Sequence, residues 1–388
     1  MKKPWLDILL SSISYVLVAA AASAVTMLLC AQPAPTGADK LDELENLIDT
    51  YFINDVDSKA IQDGAAAGMV EALGDRWSYY LAAEEYITYQ ENMANAYVGI
   101  GVTITIREDG QGFDVLAVEP GGPAQDAGML PGDIIVAVEG ENAFEMGTTA
   151  ARNRIRGEVG TDVRLTIRRN GKDMDLVITR GDIQVQVASG QMLEGNVGLV
   201  KIANFDSRCS QETIAVIQSL QEQGAEALIF DIRNNPGGYK KELVDLLDYL
   251  LPKGVLFRGI SYDGSQRVEE SDAKCLEMPM AVLINENTYS AAEFFAAALE
   301  EYDWAFTVGQ PTCGKSYFQQ AFVMSDGSAV SMSIGKYFTP NGVSLAEVGG
   351  LVPGIPVEVD GQTAAMIYSG AVDPMEDPQI LAALEALK

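Results

Sequence analysis

The 388-residue chain contains no histidine. That excludes any Ser-His-Asp arrangement and leaves a zinc site without imidazole to draw on. Cysteine is scarce: Cys30, Cys209, Cys275 and Cys313 show no C-x-x-C spacing. Cys30 falls in the apolar amino-terminal run, and the remaining three, an odd number, read as structural thiols rather than a disulfide framework. Basic residues are few as well, with 26 Lys and Arg against 55 Asp and Glu and a net charge of −29. Nothing here offers the positive stripe that nucleic-acid phosphates require. An acidic surface instead favours solubility and basic or neutral partners. What is present, 48% hydrophobic and 21% charged residues, is globular and long enough for two or three domains.

After Lys2 and Lys3, residues 8–31 run for 24 positions without a charge. This length can span a bilayer. Basic residues before it and the acidic ADKLDELENLID after it place the amino end in the cytoplasm and the rest outside. A cleaved signal peptide competes, although the run is long for one and Pro33 and Pro35 crowd the cut site. The expectation is a single-pass anchor in the cell membrane with an extracytoplasmic catalytic part, on the periplasmic or the outer face.

Four segments follow from texture: residues 1–37 as cytoplasmic stub, anchor and linker, 38–96 as a helical segment, 97–181 as short strands with glycine turns, and 182–388 as alternating strand and helix. In the second, Leu41, Leu44, Ile48 and Tyr51 are spaced as one helix face.

Within the fourth segment, NENTYSAAEFFAAALEEY puts Ser290 where a helix begins. Free N–H groups and the positive end of the helix dipole stabilise negative charge at such a hydroxyl. Ser290-x-x-Glu293 is equally a capping box, in which the serine only caps. A nucleophilic serine without histidine needs another base, and lysine serves because a desolvated amine can be neutral near pH 7. Lys315, in GQPTCGKSYFQQ, is set among Phe306, Val308, Tyr317, Phe318 and Phe322; its alternative is a solvated surface lysine. Holding it neutral costs on the order of 4 to 5 kcal/mol against a reference near 10.4, so it must be buried. Gln319, four positions on, shares a face with it in a helix or a strand and can orient the amine. Upstream, the strand ALIFDIR runs into NNPGGYKKELVDLLDYLL. The N–H of Gly237 or Gly238, with that of Ala291, can form an oxyanion hole, or the glycines make an ordinary turn.

The order N-x-x-x-x-S-x-x-E, helix, V-G-x-x-T-x-G-K-x-x-x-Q resembles the C-terminal processing (tail-specific) peptidase family. The resemblance implies Ser290 as nucleophile, Lys315 as general base and Gln319 as the residue holding the lysine, and the same oxyanion hole. It departs at Cys313, where an aromatic is expected, and at Ser316, where a glycine is expected. YVGIGVTI, FDVLAVEPGGPAQDAGMLPGDIIVAVEG, TTAARNRIRG and DVRLTIRRNG resemble a PDZ domain. There, Gly99, Ile100 and Gly101 form a loop whose N–H groups can converge on a carboxylate, and an incoming chain end adds as a strand beside residues 101–105, Val102 included. Arg156 matches a position that links this domain to the active site, with a solvated arginine as its alternative. Y-x-T-P-x-G and the closing DPQILAALEALK are family-like too.

The expected fold is therefore multi-domain α/β: transmembrane helix, helical segment, PDZ domain and α/β serine-protease core. The expected function is a membrane-anchored serine endopeptidase that takes protein or peptide substrates by free, apolar C-termini. It uses no metal or cofactor, binds no nucleic acid, touches the membrane through residues 8–31 and allows homo-oligomers. A catalytically inactive PDZ adaptor is the alternative, motivated by the departures around Lys315. Hydrolysis of a small ester or amide lacks the G-x-S-x-G elbow and leaves the PDZ segment without a use.

Overall fold

The computed structural model describes residues 37–388, so the apolar run 8–31 lies outside the described residues. Among those described, no helix is long and apolar enough to cross a membrane. The described chain divides into two units, one ending at Met69 and the other running from Val70 to Lys388. The first carries α1 (Gly37–Tyr51) and most of α2 (Ser58–Glu71). Leu41, Leu44 and Tyr51 are exposed, so the apolar face of α1 stands open within its own unit.

The larger unit opens with β1 (Tyr79–Leu81), α3 (Ala83–Ala94) and β2 (Ala96–Gly99). A six-stranded antiparallel sheet follows, of β3 (Val102–Ile106), β4 (Phe113–Val118), β5 (Ile134–Val138), β6 (Asp162–Arg169) and β7 (Lys172–Thr179), with the two-residue strand Glu141–Asn142 also paired to β5 and α4 (Thr148–Ile155) between β5 and β6. Alternation drives it: Val163, Leu165 and Ile167 of β6 are buried, and the residues between them are not. They pack with Phe113, Ile135 and Ile178 into a core of their own. β3 is an edge strand, paired on one side only. The chain returns through β8 (Gly181–Gln184), antiparallel to β2 from Ala96↔Gln184 to Gly99↔Gly181. A two-stranded neck thus holds both ends of the PDZ-like sheet.

The α/β half is built on β9 (Ala188–Leu193), β10 (Val197–Ile202), α5 (Cys209–Glu222), β11 (Ala227–Asp231) and α6 (Lys240–Leu250). β12 (Gly254–Ser261), β13 (Gln266–Ser271), β14 (Met280–Ile284), α7 (Ala291–Glu301), β15 (Ala305–Gly309), β16 (Tyr317–Val323), β17 (Ala329–Phe338), β18 (Ile355–Pro356) and α8 (Pro378–Ala386) follow, with shorter helical pieces at Leu345–Val348, Gly361–Tyr368 and Pro374–Glu376. One sheet runs β9-β10-β11-β14-β15-β18 and is parallel from β10 onward. β11 and β14 are buried at every position, as strands covered on both faces must be. α7 is buried from Ala291 to Leu299 because Phe, Ala and Leu surround its axis. Phe295 of α7 meets Phe230 of β11 edge-on, centroids 5.4 Å apart. A second sheet runs β1-β17-β12-β13 with β16 also on β17, and its Phe318, Gln319 and Tyr337 line one cleft with Ser290.

Candidate active site

The strand-end turns are laced together by side-chain amides. Beyond β11, Asn234 donates its N–H to Asn285 Oδ1 at 2.9 Å, and Asn285 Nδ2 returns a bond to Asn234 Oδ1 at 3.0 Å. Tyr289 N–H reaches the Asn235 carbonyl at 3.1 Å, and Thr288 Oγ1 donates to the Ile232 carbonyl at 3.0 Å. Two loops whose paired asparagines are 51 residues apart in sequence therefore behave as one. Arg233 anchors this assembly to the C-terminal helix, binding Asp231 at 2.7 Å and Asp377 at 2.8 Å with its side chain buried. Asp377 also caps α8 through Gln379 N–H at 2.9 Å.

Ser290 stands at the N-cap of α7 with φ 59°, a left-handed conformation that costs a non-glycine residue of order 1–3 kcal/mol. Its N–H donates to Glu293 Oε2 at 2.9 Å, the returning half of the capping box, and its hydroxyl makes no cap hydrogen bond. The hydroxyl is therefore left for other work. Glu293 is fully buried and, besides Ser290, receives Thr312 Oγ1, Gly314 N–H at 2.7 Å and Lys315 N–H at 2.8 Å. Burial raises its carboxyl above the usual range while these donors pull it back.

Lys315 and Ser290 line one cleft of about 940 Å³, together with Trp77, Tyr86, Tyr89, Asp206, Gly237 and Gln319 among others. The Lys315 Nζ lies over the Trp77 ring, 4.6 Å from its centroid, and 5.8 Å from that of Tyr289. Burial among these rings lowers its pKa to about 8, against the opposing pull of Cys313, Glu293 and Asp75. Among the described contacts no hydrogen bond joins Nζ to the Ser290 hydroxyl. Gln319 lies in β16 beside a bulge, and its Nε2 donates to the Tyr317 carbonyl and to Ser333 Oγ, both at 3.1 Å, not to the lysine. Cys313 accepts from Arg76 Nη2 at 3.3 Å, and Ser316 is buried with its Oγ receiving Ala346 N–H at 3.0 Å.

The glycine pair is fixed by close approach. A Cβ on Gly237 would lie 2.7 Å from Ser290 Cβ, and one on Gly238 would lie 2.3 Å from the Phe205 carbonyl carbon. The Gly237 N–H is committed to Asn235 Oδ1 at 2.9 Å. Gly238 and Ala291 have N–H groups with no acceptor among the described residues. Of the two glycines considered for an oxyanion hole, Gly238 is the one with a free donor.

In the PDZ-like part, the Ile100 and Gly101 carbonyls accept from Ala124 at 2.8 Å and Glu119 at 2.9 Å, and neither residue's N–H has an acceptor among the described residues. Val102 begins the open edge strand, and Gly99 ends β2. Arg156 is no solvated arginine: it pairs with Glu91 of α3 and lies over the Tyr97 ring, 5.2 Å from the centroid. The opposite face of α3 presents Tyr86, Tyr89, Gln90 and Met93 to the cleft. Trp77 had no flag as a site element in the sequence; Asn285 and Glu293 stood in the N-x-x-x-x-S-x-x-E pattern, Glu293 read there only as the capping-box acid, and the N-N pair was the one local trace of the rest of the asparagine lacing.

A PDZ-like sheet on a neck, beside an α/β core with a serine at a helix N-terminus, its hydroxyl uncommitted, and a half-buried lysine in the same cleft, defines a serine-type peptidase with a PDZ domain. Family profiles agree: Peptidase family S41 matches residues 196–357, PDZ domain residues 115–169, and Activating protease CtpB N-terminal domain residues 20–85. The chain is 33% identical over 325 residues to the carboxy-terminal processing protease CtpA of Bacillus subtilis, covering 81% of this chain and 69% of that one. It is 29% identical to the carboxyl-terminal-processing protease of Synechocystis, covering 82% and 75%. A putative S41 protease from Bacteroides fragilis, at 15% identity and TM-score 0.50 over 85% of this chain and 97% of that one, shares the fold. The chain belongs to the C-terminal processing protease family of S41 peptidases, and its substrates are proteins.

Proposed function

We propose that this chain is a membrane-anchored endopeptidase that takes an apolar protein C-terminus in its PDZ domain and cuts upstream by a Ser290–Lys315 mechanism. The observation that carries the reading is the convergence in one cleft of an uncapped serine hydroxyl, a lysine held near pKa 8 and two free N–H donors. Neutral Lys315 Nζ leaves the Trp77 face and takes the Ser290 proton while Oγ adds to the scissile carbonyl. The resulting oxyanion accepts from Gly238 and Ala291 N–H. The lysine ammonium then protonates the leaving amine, and water repeats the sequence on the acyl-enzyme. Gln319 steadies the lysine through its amide oxygen, which no described contact occupies. The substrate's terminal carboxylate meets the N–H groups of Ile100 and Gly101, and its last residues pair with β3. Residues 8–31 hold the enzyme to the membrane with the cleft outside the cytoplasm, an arrangement compatible with homo-oligomers.

The test is cleavage of an unfolded protein with a free apolar C-terminus. Ser290→Ala abolishes product, and Lys315→Ala lowers kcat by about 10² to 10⁴-fold, with unchanged unfolding curves. Undiminished hydrolysis by either variant overturns the dyad. Tail binding by the wild type without fragments would instead support the inactive adaptor.

A further inference from the structure

We propose that Asp206 is a specificity-determining residue, receiving the Lys or Arg side chain of a substrate residue close to the scissile bond. The inference rests on the peptidase reading of the cleft and adds a substrate preference to it.

Asp206 lies in the loop after β10, is only 8% exposed, and lines the same cleft as Ser290. Buried carboxylates are almost always paired or hydrogen-bonded. This one is not: its Oδ1 is buried without a partner, and no described protein donor reaches either oxygen. Its charged neighbour is another acid, Glu242, whose Oε2 is already engaged by Ser210 N–H at 2.8 Å and Ser210 Oγ at 2.7 Å. Its remaining titratable neighbours are the Tyr89 and Tyr239 phenols and the Cys209 thiol, all raised by burial and all facing a negative field. Of the two lysines on the cleft wall, Lys240 is bound to Glu269 at 2.6 Å and neither Lys240 nor Lys315 makes a described bond to Asp206. The complement missing from this corner is a positive charge. Burial and Glu242 push the Asp206 carboxyl to about 7, so an arriving ammonium or guanidinium draws off its proton and gains a charge-assisted bond.

The glycine pair fixes how near this corner is to the chemistry. A Cβ on Gly237 would lie 2.7 Å from Ser290 Cβ, and a Cβ on the adjacent Gly238 would lie 2.6 Å from the Asp206 nitrogen. Neighbouring Cα atoms are about 3.8 Å apart, so a dipeptide separates the two residues. That is the span between a scissile bond and the side chain of a residue next to it.

The test uses full-length protein and peptides with one common apolar C-terminus, carrying Lys or norleucine at each of the three positions on either side of the cut. At one position the wild type favours Lys by at least tenfold in kcat/KM, and in Asp206→Asn that ratio falls to about one. A flat wild-type profile overturns the inference whether or not the variant folds, and so does a preference that survives in Asp206→Asn. If the wild type cuts none of the peptides, the Ser-Lys reading has failed separately. Fluorescence anisotropy with the same peptides then decides: tenfold tighter binding of a Lys peptide, lost in Asp206→Asn, supports the site, and equal binding overturns it.

Discussion

Ser290 and Lys315 donate their backbone N–H groups to one and the same oxygen, Oε2 of Glu293, at 2.9 and 2.8 Å. The other oxygen, Oε1, takes Thr312 Oγ1 and Gly314 N–H. A single buried carboxylate thus fixes the backbone beneath both side chains of the proposed dyad, although 25 residues separate them.

Glu293→Gln tests that role. Four donors converge on two acceptor oxygens, and an amide replaces one acceptor with a donor, leaving two N–H or O–H groups opposed by another donor. Each unsatisfied buried group costs about 1–3 kcal/mol. The variant should lose at least about 100-fold in kcat while Ser290 and Lys315 are intact, because displacement by an ångström is enough to do so. Steady-state kinetics beside urea unfolding separate lost alignment from lost fold.

The pH profile follows from the lysine. In the proposed dyad its base form is the active one, and burial has brought its pKa down to about 8, so kcat/KM should rise with pH through about 8 and level off above it. The groups facing the amine are Cys313, Glu293, Asp75 and Arg76, and the three acidic neighbours work against the shift. Replacing Asp75 with Asn removes one of them and should move the midpoint downward. A midpoint fixed near 10.5 would show an unburied amine.

The Arg156–Glu91 pair joins the PDZ-like part to α3 with both side chains mostly buried. Arg156→Glu should destabilise, and adding Glu91→Arg should restore part of the loss. A double-mutant cycle in urea should give a coupling of about 1 kcal/mol. Because α3 also walls the cleft, the same variants should change KM for tail-bearing substrates.

How much of this was legible in the sequence varies with range. The helix opening after Ser290 and the period-2 burial of β6 are local patterns, set by spacing that the chain itself displays. The stacking of Trp77 on Lys315 joins residues far apart in sequence, and no local spacing encodes it. Spacing also placed Gln319 on a shared face with Lys315, but strand geometry begins only at Tyr317 and bulges between Phe318 and Gln319, which redirects the amide to Ser333. Gly237 and Gly238 read alike; Asn235 folding back onto one of them decides which N–H is free.

β3 has an unpaired side, and that has a price in solution behaviour. A row of open amide and carbonyl groups accepts any extended stretch of polypeptide, including the same strand of a neighbouring molecule. Like charge keeps such neighbours apart: each chain carries 29 surplus negative charges, and their mutual repulsion reaches only about 8 Å in physiological salt. Concentrated salt should therefore bring molecules edge to edge, and a short peptide with an apolar tail should prevent it by filling the vacancy first.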